Sequence, residues 1–470
     1  MKTDISRRDF IKTLGMAGLA TAGMASCKGK NDNASVTKSE ADGEVPADKM
    51  EMRTCPTTGD KVSLLGYGMM RLPHRPKPGA DNEDEEEIDQ EEVNRLVDYA
   101  IAHGVNYFDT SPAYCRGFSE RSTGIALKRY PREKVYIATK LSNFNPATWS
   151  REGAMEIYRN SFKELQVDYI DYMLLHAVGG GQDCMEELNN RYMNNGMLDF
   201  LVDERKAGRI RNLGFSFHGD VKVFDYLLQQ HDKYHWDFVQ IQLNYVDWEH
   251  ATATNPGNID AVYLYGELQK RGIPAIVMEP LLGGRLARVP DFIVARLKQR
   301  DPERSVASWA FRFAGTFPGV LTVLSGMTLM EHLQDNLRSY CPLVPLNDDD
   351  MTFLKDIANH IAGLNSIPCN ECDYCMPCPY GINIPAIFHH YNKCLNEGNI
   401  PNDVQDENYR RARRAYLVSY DRAIPKVRQA DHCIGCGQCV SHCPQRINIP
   451  RELHKISDFV DKLKTESTIL

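Results

Sequence analysis

Short β-branched and aromatic runs alternate with amphipathic stretches from about Cys55 to Tyr340, and the alternation repeats eight times. The apolar runs are VSLLGYG (from Val62), VNYFDT (Val105), KVYIATK (Lys134), YIDYMLLH (Tyr169), IRNLGFSF (Ile210), FVQIQLNY (Phe238), PAIVMEPL (Pro274) and GVLTVLSG (Gly319). Their length and residue types predict strands. Stretches such as EEVNRLVDYAIAHG and SERSTGIALKRY supply the intervening helices, with Gly104 as a C-terminal stop. Eight βα units predict an α/β fold, a parallel barrel with its chemistry at the C-terminal strand ends.

At 470 residues, 42% hydrophobic and 25% charged, the chain can bury one large core and a smaller second one. A formal charge of -8 gives no bulk attraction to nucleic acid or anionic lipid, so neither is an expected partner. The N-terminus reads SRRDFIK from Ser6 to Lys12, followed by TLGMAGLATAGMA, an apolar run too short to span a bilayer. Paired arginines, Phe10 and Lys12 before that run make residues 1–27 resemble a twin-arginine signal peptide, and Met24 to Cys27 resembles a lipobox. The resemblance implies export in the folded state to the periplasm or cell envelope, with a lipid on Cys27 as the membrane contact. Residues 28–50 are too polar to bury a core and read as a flexible tether.

Ionisable residues stand at three successive strand ends: Asp109 after the second, Lys140 after the third and His176 after the fourth, with Tyr114 five residues beyond Asp109. Singly, each has a bland reading as a cap, a half-buried ring or a structural polar group. Together, and with the opening GYGMMRLP, they resemble the Asp, Tyr, Lys and His tetrad of the aldo-keto reductases, whose fold is the (β/α)8 TIM barrel. The resemblance makes Tyr114 the general acid or base on the substrate oxygen. Lys140 would favour its phenolate, Asp109 would pair with the lysine, and His176 would orient a carbonyl.

The same resemblance assigns Ser216 and Gln240 to a nicotinamide carboxamide, Gly283 and Gly284 to a pyrophosphate, and Asn336 to the far end of the nucleotide. The pattern departs at Phe217, where asparagine is usual, and at Met278, where a stacking tyrosine is usual. Ser325 and His332 stand where Lys and Arg usually grip a 2′-phosphate. NAD(P) and a flavin therefore both stay open as the hydride carrier.

Eight of the 14 cysteines fall in two tight groups beyond residue 365, which points to metal rather than to scattered disulfides. CNECDYCMPCP gives Cys369, Cys372, Cys375 and Cys378; CIGCGQCVSHCP gives Cys433, Cys436, Cys439 and Cys443. The second spacing resembles the bacterial two-cluster ferredoxin motif, and the echo of CPYGINIP in CPQRINIP makes Cys378 and Cys443 equivalent positions. In that family the fourth cysteine serves the other cluster. The resemblance thus implies one [4Fe-4S] cluster on Cys369, Cys372, Cys375 and Cys443, and another on Cys433, Cys436, Cys439 and Cys378. Zinc and disulfides are the alternatives. Cys55, Cys115, Cys184, Cys341 and Cys394 have no motif partners and read as packing residues or free thiols.

The expected organisation is a barrel over residues 51–345, then over 346–470 a helical linker and a small α+β ferredoxin-like iron-sulfur domain. The expected function is an exported oxidoreductase that interconverts a small carbonyl and an alcohol and passes electrons to or from a redox partner protein. A competing reading is an envelope electron-transfer protein whose barrel is a binding scaffold.

Overall fold

The computed structural model describes residues 44–79, 86–180 and 183–466; the expected signal, Cys27 and most of the tether lie outside them. All eight expected strands form: β1 Leu65–Gly68, β2 Tyr107–Asp109, β3 Tyr136–Leu141, β4 Ile170–Val178, β5 Ile210–Phe217, β6 Phe238–Gln242, β7 Ala275–Met278 and β8 Val320–Ser325. They close into one parallel barrel in chain order, β8 pairing with β1. Closure removes sheet edges and leaves the strand ends as a ring of loops.

Tyr107, Ala138, Tyr172, Phe238, Ile276 and Leu321 fill the interior. The rings of Tyr107 and Tyr172 meet edge-on at 5.0 Å, and those of Tyr172 and Phe238 at 5.2 Å. The antiparallel hairpin Met52–Thr54 with Lys61–Ser63 leads into β1. A larger core lies between the strands and the surrounding helices, and it runs past the expected boundary at 345. The helix Asp348–Ala362 buries Leu354, Ile357, Ala358 and Ile361 against it, so the barrel ends near residue 362.

The remaining residues have their own core, built on Ile382, Ile384, Phe388, Tyr416, Tyr420, Ile447, Ile449 and Leu453. Among the described residues this part consists of the helices Ile384–Asn396, Tyr409–Ala423 and Ile449–Thr465 with loops and short turns. The expected α+β make-up is therefore corrected to helices: the cysteine segments run as turns and lack the alternation that a strand needs. The echoed octapeptide has a structural meaning. In each copy the asparagine caps a helix, Asn383 accepting from the Ala386 amide and Asn448 from that of Arg451. Proline occupies the first turn, and both isoleucines enter the core. Among the described residues no helix is long and apolar enough to cross a membrane.

One carboxyl is buried behind β3. Glu120, on the helix Ser119–Leu127, accepts from Thr139 Oγ1 at 2.6 Å and is 1% exposed. Burial pushes it up to about 7. Because the folded state holds this proton more tightly than the unfolded chain does, ionisation penalises the native state as pH rises from about 4.5 towards 7. Glu120→Gln should remove that decline, a relative gain on the order of 3 kcal/mol between pH 5 and pH 8, measured by chemical denaturation at the two pH values.

Candidate active site

Strand register sets the tetrad. Asp109 lies opposite Ala138, and Lys140 follows two residues along β3 on the same face, one pleat higher. Lys140 Nζ accordingly reaches Asp109 Oδ1 at 2.6 Å and the Thr110 carbonyl at 2.8 Å, with lysine 0% and aspartate 2% exposed. Burial pushes the lysine down and the carboxyl up, and the attraction between them opposes both shifts. Asp109 Oδ2 has no partner among the described residues.

Tyr114 opens a tight turn, Tyr114–Gly117, in which Cys115 and Arg116 take left-handed φ of 49° and 54°. Lys140 Nζ stands 4.7 Å from the centre of its ring. Burial, with the Asp109 charge behind it, pushes the Tyr114 phenol well above its ordinary value. Lys140 stands where its charge would oppose that rise and favour the phenolate during proton transfer, as expected of it.

His176 meets Tyr114 edge-on, ring centres 5.8 Å apart. Ser142 Oγ lies 2.5 Å and Ser111 Oγ 3.3 Å from its Nδ1, which leaves Nε2 for a substrate. Burial, then the Lys140 and Arg191 charges, holds the imidazole well below its ordinary value and hence neutral. Its backbone is fixed from behind. Arg191 Nη2 donates to the His176 carbonyl at 2.6 Å, and Tyr192 Oη accepts from its amide at 2.9 Å. The next residue, Ala177, has φ 51° where the β4–β5 register shifts, and its N–H donates to Ser216 Oγ at 2.8 Å.

Of the residues expected to hold a nucleotide, Ser216 and Asn336 are engaged within the protein, whereas one buried atom of Gln240 is not. Ser216 secures the irregular end of β4. Gln240 Nε2 lies 3.5 Å from Met278 Sδ, and its buried Oε1 has no partner among the described residues. Asn336 Nδ2 donates to Ser325 Oγ at 3.0 Å. Gly283 does meet a closely approaching backbone, but that of Asn370: a Cβ on Gly283 would stand 2.3 Å from the Asn370 Cβ and 2.5 Å from its Cα. The close approach at Gly283 is thus taken by protein backbone.

Cys369, Cys372, Cys375 and Cys443 line one cavity, walled by Ile384, Pro385, Phe388, Ile447 and Ile449. Cys439 lies near Cys433, Cys436 and Cys378; burial, then those three neighbours, pushes its thiol up to about 11. None of the eight is in a disulfide. The first four ring a cavity, and among the described residues no three His, Cys, Asp or Glu groups converge on a single-ion site. Four thiols around an apolar hollow suit an iron-sulfur cube better than a tetrahedral zinc.

Residues beside the first cavity also grip the barrel mouth. Asn370 Nδ2 donates to Glu279 Oε1 at 2.9 Å, its carbonyl accepts from Arg71, and Ser366 Oγ accepts from Arg285. Arg446 Nη2 donates to the Gly179 carbonyl at 2.7 Å, and Asn255 Nδ2 to Gln445 Oε1 at 2.9 Å. Tyr374 is close enough to Asp109, Cys115 and Glu279 for their charges to add to the rise that burial imposes on its phenol. Sequence reasoning missed Asn370, Tyr374, Glu279, Arg191 and Arg446. The one signal for the first two was their place inside the cysteine run.

A parallel barrel with acid, cation and imidazole gathered at its mouth, under a domain carrying two sets of four thiols, defines a barrel enzyme joined to an iron-sulfur module. The chain belongs to the aldo/keto reductase family, whose model matches residues 64–359, and the model for a 4Fe-4S dicluster domain matches residues 368–447. It is 34% identical over 166 residues to "Probable aldo-keto reductase 1" of Glycine max, covering 34% of this chain and 43% of that one. The match thus spans less than half of the soybean protein. L-galactose dehydrogenase of Arabidopsis thaliana is 25% identical over 330 residues, 65% of this chain and 92% of that one. The structure of an aldo-keto reductase from Klebsiella pneumoniae in complex with NADPH superposes with TM-score 0.50 at 19% identity, covering 66% of this chain and 96% of that one, a likeness of fold.

Lys140→Met leaves Asp109 buried without its cation and should cost about 3–5 kcal/mol of stability. Lys140→Met with Asp109→Asn should recover at least half of that loss in a denaturant titration.

Proposed function

We propose that this oxidoreductase of the aldo/keto reductase family interconverts a small carbonyl compound and its alcohol at Tyr114, Lys140, Asp109 and His176. Two [4Fe-4S] clusters, one on Cys369, Cys372, Cys375 and Cys443 and the other on Cys433, Cys436, Cys439 and Cys378, relay electrons to or from a redox partner protein. The observation that carries the proposal is the order of the parts. The first set of thiols adjoins the segment that grips the mouth, whereas Cys436 and Ile434 of the second set are exposed, Ile434 by 62%.

Reduction needs two electrons and two protons at the carbonyl. The neutral Tyr114 phenol is positioned to give the proton that ends on oxygen. The hydride that ends on carbon would come from a two-electron carrier such as a flavin, reloaded one electron at a time by the clusters. His176 Nε2 orients that oxygen, and the Lys140–Asp109 pair supplies fixed charge in a dry site, where it acts more strongly than in water. Bound clusters would supply one-electron carriers between mouth and surface. The name of the Arabidopsis relative makes aldoses sensible first substrates. The scaffold reading draws on the altered positions Phe217, Met278, Ser325 and His332; the assembled tetrad favours catalysis.

The test is an anaerobic assay with reduced methyl viologen as donor and a panel of aldoses and small aldehydes. Tyr114→Phe should lose at least about 100-fold in turnover while retaining about eight irons per chain. Turnover within a few-fold of the parent in that variant would defeat the catalytic reading.

We propose further that the protein is exported, on the strength of SRRDFIK and the short apolar run behind it. Replacing Arg7 and Arg8 by lysine should keep it in the cytoplasm on fractionation, and envelope localisation of that variant would refute the route. Cys27→Ala should release the protein from the membrane fraction if Cys27 carries a lipid.

A further inference from the structure

The loop after β7 shows what has taken the place of a dinucleotide. From Leu282 to Leu286 the backbone amides are already spent inside the loop. Leu282 donates to the Glu279 carbonyl, Gly284 and Leu286 to that of Leu281, and Arg285 to that of Leu282. The Gly283 amide is hydrogen-bonded to the Glu279 carboxylate. A phosphate would need those same donors. Glu279 itself, held at a left-handed φ of 56°, presents a carboxylate where a pyrophosphate would bring more negative charge.

The space above the loop is also filled. Asn370, 7% exposed, packs its Cα and Cβ onto Gly283. Its side chain and carbonyl are tied to Glu279 and Arg71 respectively. Arg71 lies over the loop after β8 as well, its Cβ 3.1 Å from where a Cβ on Gly326 would be. Thr328 Oγ1 donates to the Arg71 carbonyl at 2.9 Å. Arg71 thus links the two loops across which an extended dinucleotide would lie.

We infer that the segment Asn370–Tyr374 permanently occupies the dinucleotide trench, with Asn370 seated on the pyrophosphate loop, so that this chain binds neither NADH nor NADPH. The inference rests on the barrel being the catalytic part, and it deepens that reading by excluding the usual soluble carrier. Gly283 is required for the approach of Asn370. At φ 70°, with a Cβ 2.3 Å from that of Asn370, no larger residue fits without displacing the segment.

The test uses the full-length holoprotein under anaerobic conditions. Titration with NADPH and separately with NADH, followed by nicotinamide fluorescence and by the melting temperature, should show no saturable change up to about 1 mM, a limit near -4 kcal/mol of binding free energy. Saturable binding of one nucleotide per chain overturns the inference. A second measurement addresses the plug directly. Hydrogen exchange in residues 366–376 should quicken at least about tenfold in Gly283→Ala, and unchanged exchange there overturns the inference too. Nucleotide binding would leave the acid role of Tyr114, read in viologen-driven turnover, intact; a fully active Tyr114→Phe would leave the nucleotide result intact. The two readings fail separately.

Discussion

The sharing of one cavity by Cys369, Cys372, Cys375 and Cys443 is the constraint on which the rest of the molecule depends. It ties together two segments about seventy residues apart, and the residues next to those cysteines are the ones that hold the barrel. Asn370 follows Cys369 directly, and Arg446 stands three residues beyond Cys443. One grips the loop after β7; the other reaches Gly179 after β4, its side chain packed against Gly257. A group that fixes the four sulfurs therefore also fixes both clamps, and the small domain becomes the roof of the active site.

Beneath that roof, burial decides the protonation states. Lys140 and Asp109 are drawn towards neutrality and hold each other by a short contact, Tyr114 keeps its proton, and His176 is kept neutral. The Tyr114 hydroxyl and the His176 ring both face the mouth in uncharged form, as groups able to hydrogen-bond an oxygen placed there. Water could reverse these protonation states only by reaching the Lys140–Asp109 pair, and the packed barrel interior below and Asn370 and Tyr374 above limit its access.

The barrel is legible in the sequence because each βα unit carries its own local signal, a β-branched run and then a helical period. The tetrad is legible because it falls at the ends of those runs. The cysteine spacing is equally local, and the echo of INIP encodes two capped helices as well as two equivalent cysteines. The docking is not legible. Asn370, Gly283, Glu279 and Arg446 meet through loops far apart in the chain, where no periodicity links partner to partner. Gly283 illustrates the difficulty: its residue type announces a close backbone approach without saying whose, and the backbone is that of Asn370 rather than a pyrophosphate. The depth at which Tyr114 is buried is likewise a property of the assembled mouth and not of its own segment.

The exchange of fourth cysteines is tested most directly by electron paramagnetic resonance of the reduced holoprotein. The spectrum of Cys443→Ala is to be compared with that of Cys372→Ala, and the spectrum of Cys378→Ala with that of Cys436→Ala. The account predicts that the members of each pair match, because each pair disturbs one cluster. Spectra in which Cys443→Ala instead matches Cys436→Ala, and Cys378→Ala matches Cys372→Ala, would show that each half of the repeat keeps its own cluster and would contradict it.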